Sequence, residues 1–123
     1  MKNMSFFLTT KQYLDGTKDI TRRLGWCRIK IGVPHMAVLK CQGLRKGESI
    51  TKLGEFIPTE SRWESLGLLL EDEKYGFSEV IREGFPDWKP LQFVEMFCDT
   101  HKGCTPETEV NRIVFRKVTD AKL

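Results

Sequence analysis

The chain has 123 residues, 40% of them hydrophobic and 11% aromatic, which supplies one core and leaves no length for a second domain of ordinary size. A formal net charge of +3 excludes a nucleic-acid binder that works by global field alone, so any such surface must come from local distribution of charge. No apolar run approaches the ~20 residues that cross a bilayer.

The opening "MKNMSFFLTTK" has too short an apolar part, and no small-residue cleavage site, for a secretory signal. A cytoplasmic protein with no membrane partner is expected, with Cys27, Cys41, Cys98 and Cys104 reduced, as thiols or metal ligands. Charge is skewed along the chain. Residues 1–52 carry eleven Lys and Arg against Asp15, Asp19 and Glu48, near +8, which leaves the remainder near −5.

In chain order, "MSFFLTT" reads as a short strand running into a helix, with Thr9 or Thr10 as its cap and Gly16 ending "KQYLDG" in a left-handed conformation. "TKDITRRLGW" predicts a strand with Lys18 and Ile20 on one face and Asp19 and Thr21 on the other, its imperfect alternation allowing a bulge. "CRIKIG" predicts a strand ended by Gly32 and Pro34, and "HMAVLKC" predicts the next. "GLRKGES" is a basic turn, and "ITKLGEFIPTESRW" is a further strand interrupted at Gly54 and Pro58.

"SLGLLLEDEKYG" suits a strand end or a helix start equally. Phe77, Val80 and Ile81 predict one or two helical turns, starting at Ser78 and stopped by Gly84. The best helix signal is "KPLQFVEMFCDTHKG": Pro90 in the first turn, a stripe of Leu91, Val94 and Phe97 or Cys98, and Gly103 as the stop. The closing "EVNRIVFRKV" alternates as a strand, with Val110, Ile113 or Val114, and Phe115 available to the core. Four to six short strands with two or three short helices predict one α+β domain over residues 1–123, either a plain α+β sheet or a partly open β-barrel decorated by helices.

By charge alone, "LDGTKDITRR" is either a solvated hairpin edge whose charges discourage pairing or the floor of a site. Within it, "GTKDITRR" resembles the GxKxx(E/T)xR signature of the ASCH family, relatives of the PUA domains that bind RNA, with Gly16, Lys18, Thr21 and Arg23 at the four signature positions. "GTKDITRRLGW" near the start and "REGFP", "FVEMF" and "EVNRIVF" toward the end are similar to small stand-alone ASCH proteins, many of them bacterial or phage-borne. The resemblance covers essentially the whole chain and is weakest between Gly54 and Tyr75. "GVPH", Gly32 to His35, departs from the "PGD" turn that relatives often carry there.

The resemblance implies a PUA-like, partly open β-barrel with two or three short flanking helices and a cleft that binds RNA or a modified nucleoside. In the branch with Thr in the signature, the implied activity is an amidohydrolase removing acetyl from N4-acetylcytidine. That branch uses Lys, Thr and a Glu from a later helical region, which map to Lys18, Thr21 and Glu83 of "IREGFP". Other branches are regarded as nucleic-acid binders, and some members act as ribonucleases. Chemically, a lysine in a partly desolvated cleft has its pKa lowered and can serve as a base, taking a proton from a threonine hydroxyl or a water attacking an amide. Glu83 would orient or protonate the leaving amine, and the planar fork of Arg23 suits a phosphate or carbonyl oxygen.

A binding surface would add Arg22, Arg23, Trp26, Arg45 and Lys46 to Lys18, cations gripping phosphates while the indole stacks on a base. Arg22 lies between the signature positions and is expected to face solvent. Trp63, behind Arg62, is a second ring that serves either a stacking platform or the core. Lastly, "FCDTHKGC" places Cys98, His101 and Cys104 three residues apart, and Cys41 or Cys27 would complete a tetrahedral set. No cofactor is required for the cleft chemistry; the metal expected at that set is a structural zinc pinning the last helix, and the alternative is free thiols.

Overall fold

In the computed structural model, which describes residues 1–41 and 44–118, the alternation at the end of the chain becomes β5 (Glu109–Lys117). It pairs antiparallel with β4 (Lys52–Ser65) on one side and with β2 (Ile20–Arg23) on the other. β3 (His35–Val38) runs antiparallel along the far side of β4, and β1 (Asn3–Ser5) runs parallel to β3. The strand order of this mixed sheet is β1-β3-β4-β5-β2, so β1 and β2 are its edges and it does not close into a barrel.

β4 continues through Gly54 and Pro58 rather than stopping there. Register shifts between Ala37 and Val38, and between Pro58 and Glu60, take up the irregularity, because a bulge lets a strand pass a residue that cannot donate to the ladder. "CRIKIG" forms turns instead of the expected strand. The segment is not paired in the sheet: Ile29 packs partly against the sheet core, and Ile31 remains 49% exposed. His35, the first residue of the expected strand "HMAVLKC", starts β3 and is buried.

After a 3₁₀ turn (Phe7–Thr9), α1 (Thr10–Asp15) ends at Gly16, whose φ of 82° lets its N–H reach the Tyr13 carbonyl. The ambiguous leucine-rich segment is helical: α2 (Leu68–Glu71) leads into α3 (Glu73–Arg82). α3 starts five residues ahead of Ser78, because the Asp72 side chain accepts the Tyr75 N–H and caps the helix there. α4 (Pro90–Thr100) begins on its proline, with the Gln92 side chain accepting the Lys89 N–H. Its buried stripe is Phe93, Val94 and Phe97, whereas Leu91, expected inside, is 52% exposed.

Two apolar cores result. Met4, Phe6, Tyr13, Ala37, Phe56, Ile113 and Phe115 fill one face of the sheet, and Leu66, Leu69, Val80, Phe93, Val94, Phe97 and Val110 pack among the helices. β5 serves both through its period of two, Ile113 and Phe115 going to the first and Val110 to the second. Each fully buried ring or branched side chain contributes about 1.5–3 kcal/mol. The charged residues between these cores build the site.

Candidate functional site

α3 runs back toward α1 and stops beside it. The Lys18 N–H bonds to the Gln12 carbonyl and the Asp19 N–H to the Arg82 carbonyl, tying the start of β2 to the end of α3. The next turn is possible because of Gly84, at φ 105°: a Cβ there would lie 2.8 Å from Gln12 Cβ. Glu83 is thereby carried to 2.8 Å from Lys18 Nζ, which also donates to the Glu83 carbonyl at 2.9 Å. Both side chains are only 3% exposed. Burial drives the Lys18 ammonium below its usual range, and the neighbouring Glu83 opposes that shift without cancelling it.

The other oxygen of Glu83 accepts from Arg22 Nη1 at 2.9 Å, while Arg22 Nη2 donates to Glu64 and Glu79. Arg112 completes the cluster with two bonds to Glu79. Arg22 therefore does not face solvent: its side chain is wholly buried. The period of two in β2 turns Arg22 away from Thr21 and Arg23, and α3 covers that face. Burial alone would lower its pKa, but Glu83 and Glu79 raise it above the usual guanidinium range. Among the described residues, its Nε is the buried side-chain nitrogen or oxygen left without a hydrogen-bond partner.

On the opposite face of β2, Arg23 Nε donates to Thr21 Oγ1 at 3.0 Å and Nη2 to the Ser5 carbonyl at 2.7 Å. One side chain thus spans both edges of the open sheet, with its guanidinium 5.1 Å above the Phe6 ring. Desolvation pushes the Arg23 pKa down to about 10, against the pull of Glu83.

These groups line a cleft of about 250 Å³. Lys18, Thr21, Arg23 and Glu83 make its polar wall, and Phe85, Phe93, Phe97 and His101 its apolar one. Phe7 and Leu8, 60% and 59% exposed, form the rim. The residues sequence reasoning missed are the carboxylates Glu64 and Glu79 and the cation Arg112. A signal existed for one of them, since Glu79 and Glu83 stand four apart at the end of a helix and so share a face.

The remaining expected site residues are scattered. Trp26 lines a second cavity with Asn3, Lys40 and Cys41. Its φ of 63°, in the left-handed region, costs a bulky residue on the order of 1–3 kcal/mol. Arg45 and Lys46 sit exposed on their turn, outside the lining of both cavities, and Trp63 is 42% exposed on β4.

Of the expected zinc ligands, Cys98 and Cys104 do meet, Sγ to Sγ at 3.8 Å. Burial and the adjoining Cys104 push the Cys98 thiol up to about 11. His101 turns away to stack on Phe97, with Nδ1 2.8 Å from the Phe97 carbonyl, and Cys41 lies against the Asn3 carbonyl. Among the described residues, no three His, Cys, Asp or Glu side chains converge as a metal site. Among them also, no helix is long and apolar enough to cross a membrane.

No protein-family model matches the chain, and no curated protein matches it. A solved structure does: protein EF3133 from Enterococcus faecalis V583, of family DUF984, is similar with a TM-score of 0.52 and 14% identity over 90% of this chain and 70% of that one. At that identity the likeness is one of fold.

Proposed function

We propose that the chain is an ASCH-like, PUA-like domain whose cleft binds a nucleoside, presented as an exposed base of RNA or free. The observation that carries this reading is the convergence of Lys18, Thr21 and Arg23, all signature positions, with Glu83 on one wall of a single cleft. The rings of Phe85, Phe93, Phe97 and His101 line the same cleft. Such a site suits a ligand with planar faces and a hydrogen-bonding edge, which is how an unstacked base is recognised. A volume of about 250 Å³ falls below the roughly 300–1,000 Å³ of drug-sized sites, so it admits one heterocycle with its sugar and no duplex.

A second reading, hydrolysis of an acyl amide on that base, is favoured by the 2.8 Å contact between Lys18 and Glu83 beside Thr21. Thr21 Oγ1 accepts from Arg23, so its own proton is free to be donated elsewhere and the guanidinium stabilises charge developing on the oxygen. Neutral Lys18 would take the proton from Thr21 or from an attacking water as the new C–O bond forms. Collapse breaks the C–N bond, the proton passes through Glu83 to the leaving amine, and acetate and cytidine are released after hydrolysis of any acyl-threonine.

Incubation with N4-acetylcytidine, followed by chromatography and by equilibrium binding of the same nucleoside, tests both readings. Binding that Thr21→Val and Arg23→Ala weaken is the result expected of the cleft, and turnover reduced at least 100-fold in Lys18→Ala adds the hydrolase. Binding without turnover removes the hydrolase alone, and absence of both removes the nucleoside reading.

A further inference from the structure

The cleft adjoins a second cavity of about 520 Å³, and Ser5, Phe7 and Arg23 line both. On its far side stand Trp26 and Lys40. Trp26 is, among the described residues, the non-glycine with a positive φ, and that conformation is held in place from two strands. The wholly buried Asn111 of β5 donates from Nδ2 to the Trp26 carbonyl at 3.0 Å, and Ser61 of β4 fixes the Asn111 oxygen at 2.6 Å. The Ile29 N–H bonds to the same carbonyl at 3.0 Å. A buried amide spent on keeping a bulky residue left-handed marks the position of its ring as the point of the arrangement. The indole packs against the sheet core and meets the His35 ring obliquely at 6.0 Å, yet it stays only half-buried and lines the outer cavity, so core filling uses part of the ring and leaves the rest to the cavity.

We propose that this outer cavity is a second nucleotide subsite, so that the ligand is a strand of RNA rather than a free nucleoside. The inference rests on the nucleoside reading of the inner cleft. A base next to the one in the cleft stacks on Trp26, and the phosphate joining the two nucleotides lies at Arg23, on the boundary of the two cavities. Arg23 has committed Nε to Thr21 and Nη2 to Ser5, and among the described residues Nη1 is the nitrogen left for a phosphate oxygen. Lys40, 3.9 Å from Glu48, supplies a second cation along the same wall. The outer cavity has about twice the volume of the inner, room that a lone nucleoside would leave unused.

The test is equilibrium binding of cytidine, cytidine 3′- and 5′-monophosphate and the trinucleotide rCrCrC, at 50 and 200 mM salt. The trinucleotide is expected to bind at least tenfold more tightly than cytidine. With two cations facing phosphate, its affinity falls about sevenfold between the two salt concentrations. Trp26→Ala should collapse the ratio of trinucleotide to cytidine affinity, and Trp26→Phe should restore part of it. In a Trp63→Phe, Trp88→Phe background, the remaining indole emission should be quenched by the trinucleotide and not by cytidine. Thermal melting of Trp26→Ala separates loss of the subsite from loss of the fold. If cytidine binds and the trinucleotide or a monophosphate does no better than its fellow, or the ratio survives Trp26→Ala, the outer subsite is overturned and the inner one stands. If no ligand binds to the wild type, both readings fail together.

Discussion

At the scale of single residues, Arg22 is the clearest case of a side chain whose role depends on what covers it. Next to Arg23 in a basic run, it has the look of a solvated charge, yet Glu64, Glu79 and Glu83 surround it and its side chain is fully buried. Removing one member of such a cluster leaves carboxylates uncompensated in a poor solvent for charge. Arg22→Met should therefore cost on the order of 3–5 kcal/mol in urea unfolding. Arg62→Met, at a side chain 49% exposed and paired with Glu60 and Glu64, should cost less than ~1 kcal/mol. Equal losses in the two variants would mean that the buried cluster carries no special weight. Thr21 and Arg23 were legible as a pair, because a period of two puts them on one side of β2.

At the scale of elements, the legible ones carried a clear period or a punctuation mark: α1 its Gly16, α4 its Pro90, and β5 its alternation. α3 was read too short because its cap, Asp72, is hidden in an acidic run that looks equally like a turn. Gly84 was read only as a stop. It is also the point where α3 approaches α1 closely enough for Glu83 to reach Lys18. Gly84→Ala should lose more stability than Gly16→Ala, which also needs a positive φ, 82° against 105°, but has open space around its Cβ. About 1 kcal/mol is expected for Gly16→Ala and roughly 2–4 kcal/mol for Gly84→Ala, measured by thermal melting. Matching melts for the two variants would show that the approach of α3 to α1 is loose.

At the scale of the whole molecule, the charged cluster joins the core on the sheet to the core among the helices. Its members come from β2, β4, β5 and α3. Burial would raise the Glu79 pKa, but hydrogen bonds and charge from Arg112 and Arg22 hold it down at about 2, against 4.5 for an ordinary glutamate. A carboxylate depressed in the folded state stabilises fully above its unfolded pKa and loses that contribution as pH falls toward its folded one. The protein should thus lose on the order of 3 kcal/mol between about pH 4.5 and pH 2 from this residue. Urea midpoints at pH 7, 4 and 3 measure it, and a midpoint independent of pH below 4.5 would contradict the role given to the cluster. In an Arg112→Met background the slope with pH should flatten.

Features that depend on neighbours along the chain were legible there: the α+β class, the shared face of Thr21 and Arg23 in β2, the alternation of β5, the stop of α1 at Gly16 and the start of α4 at Pro90. The resemblance added Lys18 to that pair and Glu83 to the group. Packing between distant segments settles that the sheet stays open, that Glu83 meets Lys18 across 65 residues, that Arg22 is buried, and that Trp26 belongs to a second cavity. It also settles that Cys98 and Cys104 meet while His101 and Cys41 do not join them. Spacing fixes dihedrals and therefore faces, over a few residues at a time. Which face meets which is set by the close packing of α3 and α4 on the sheet, and there a single glycine or an unshielded carboxylate outweighs any local preference.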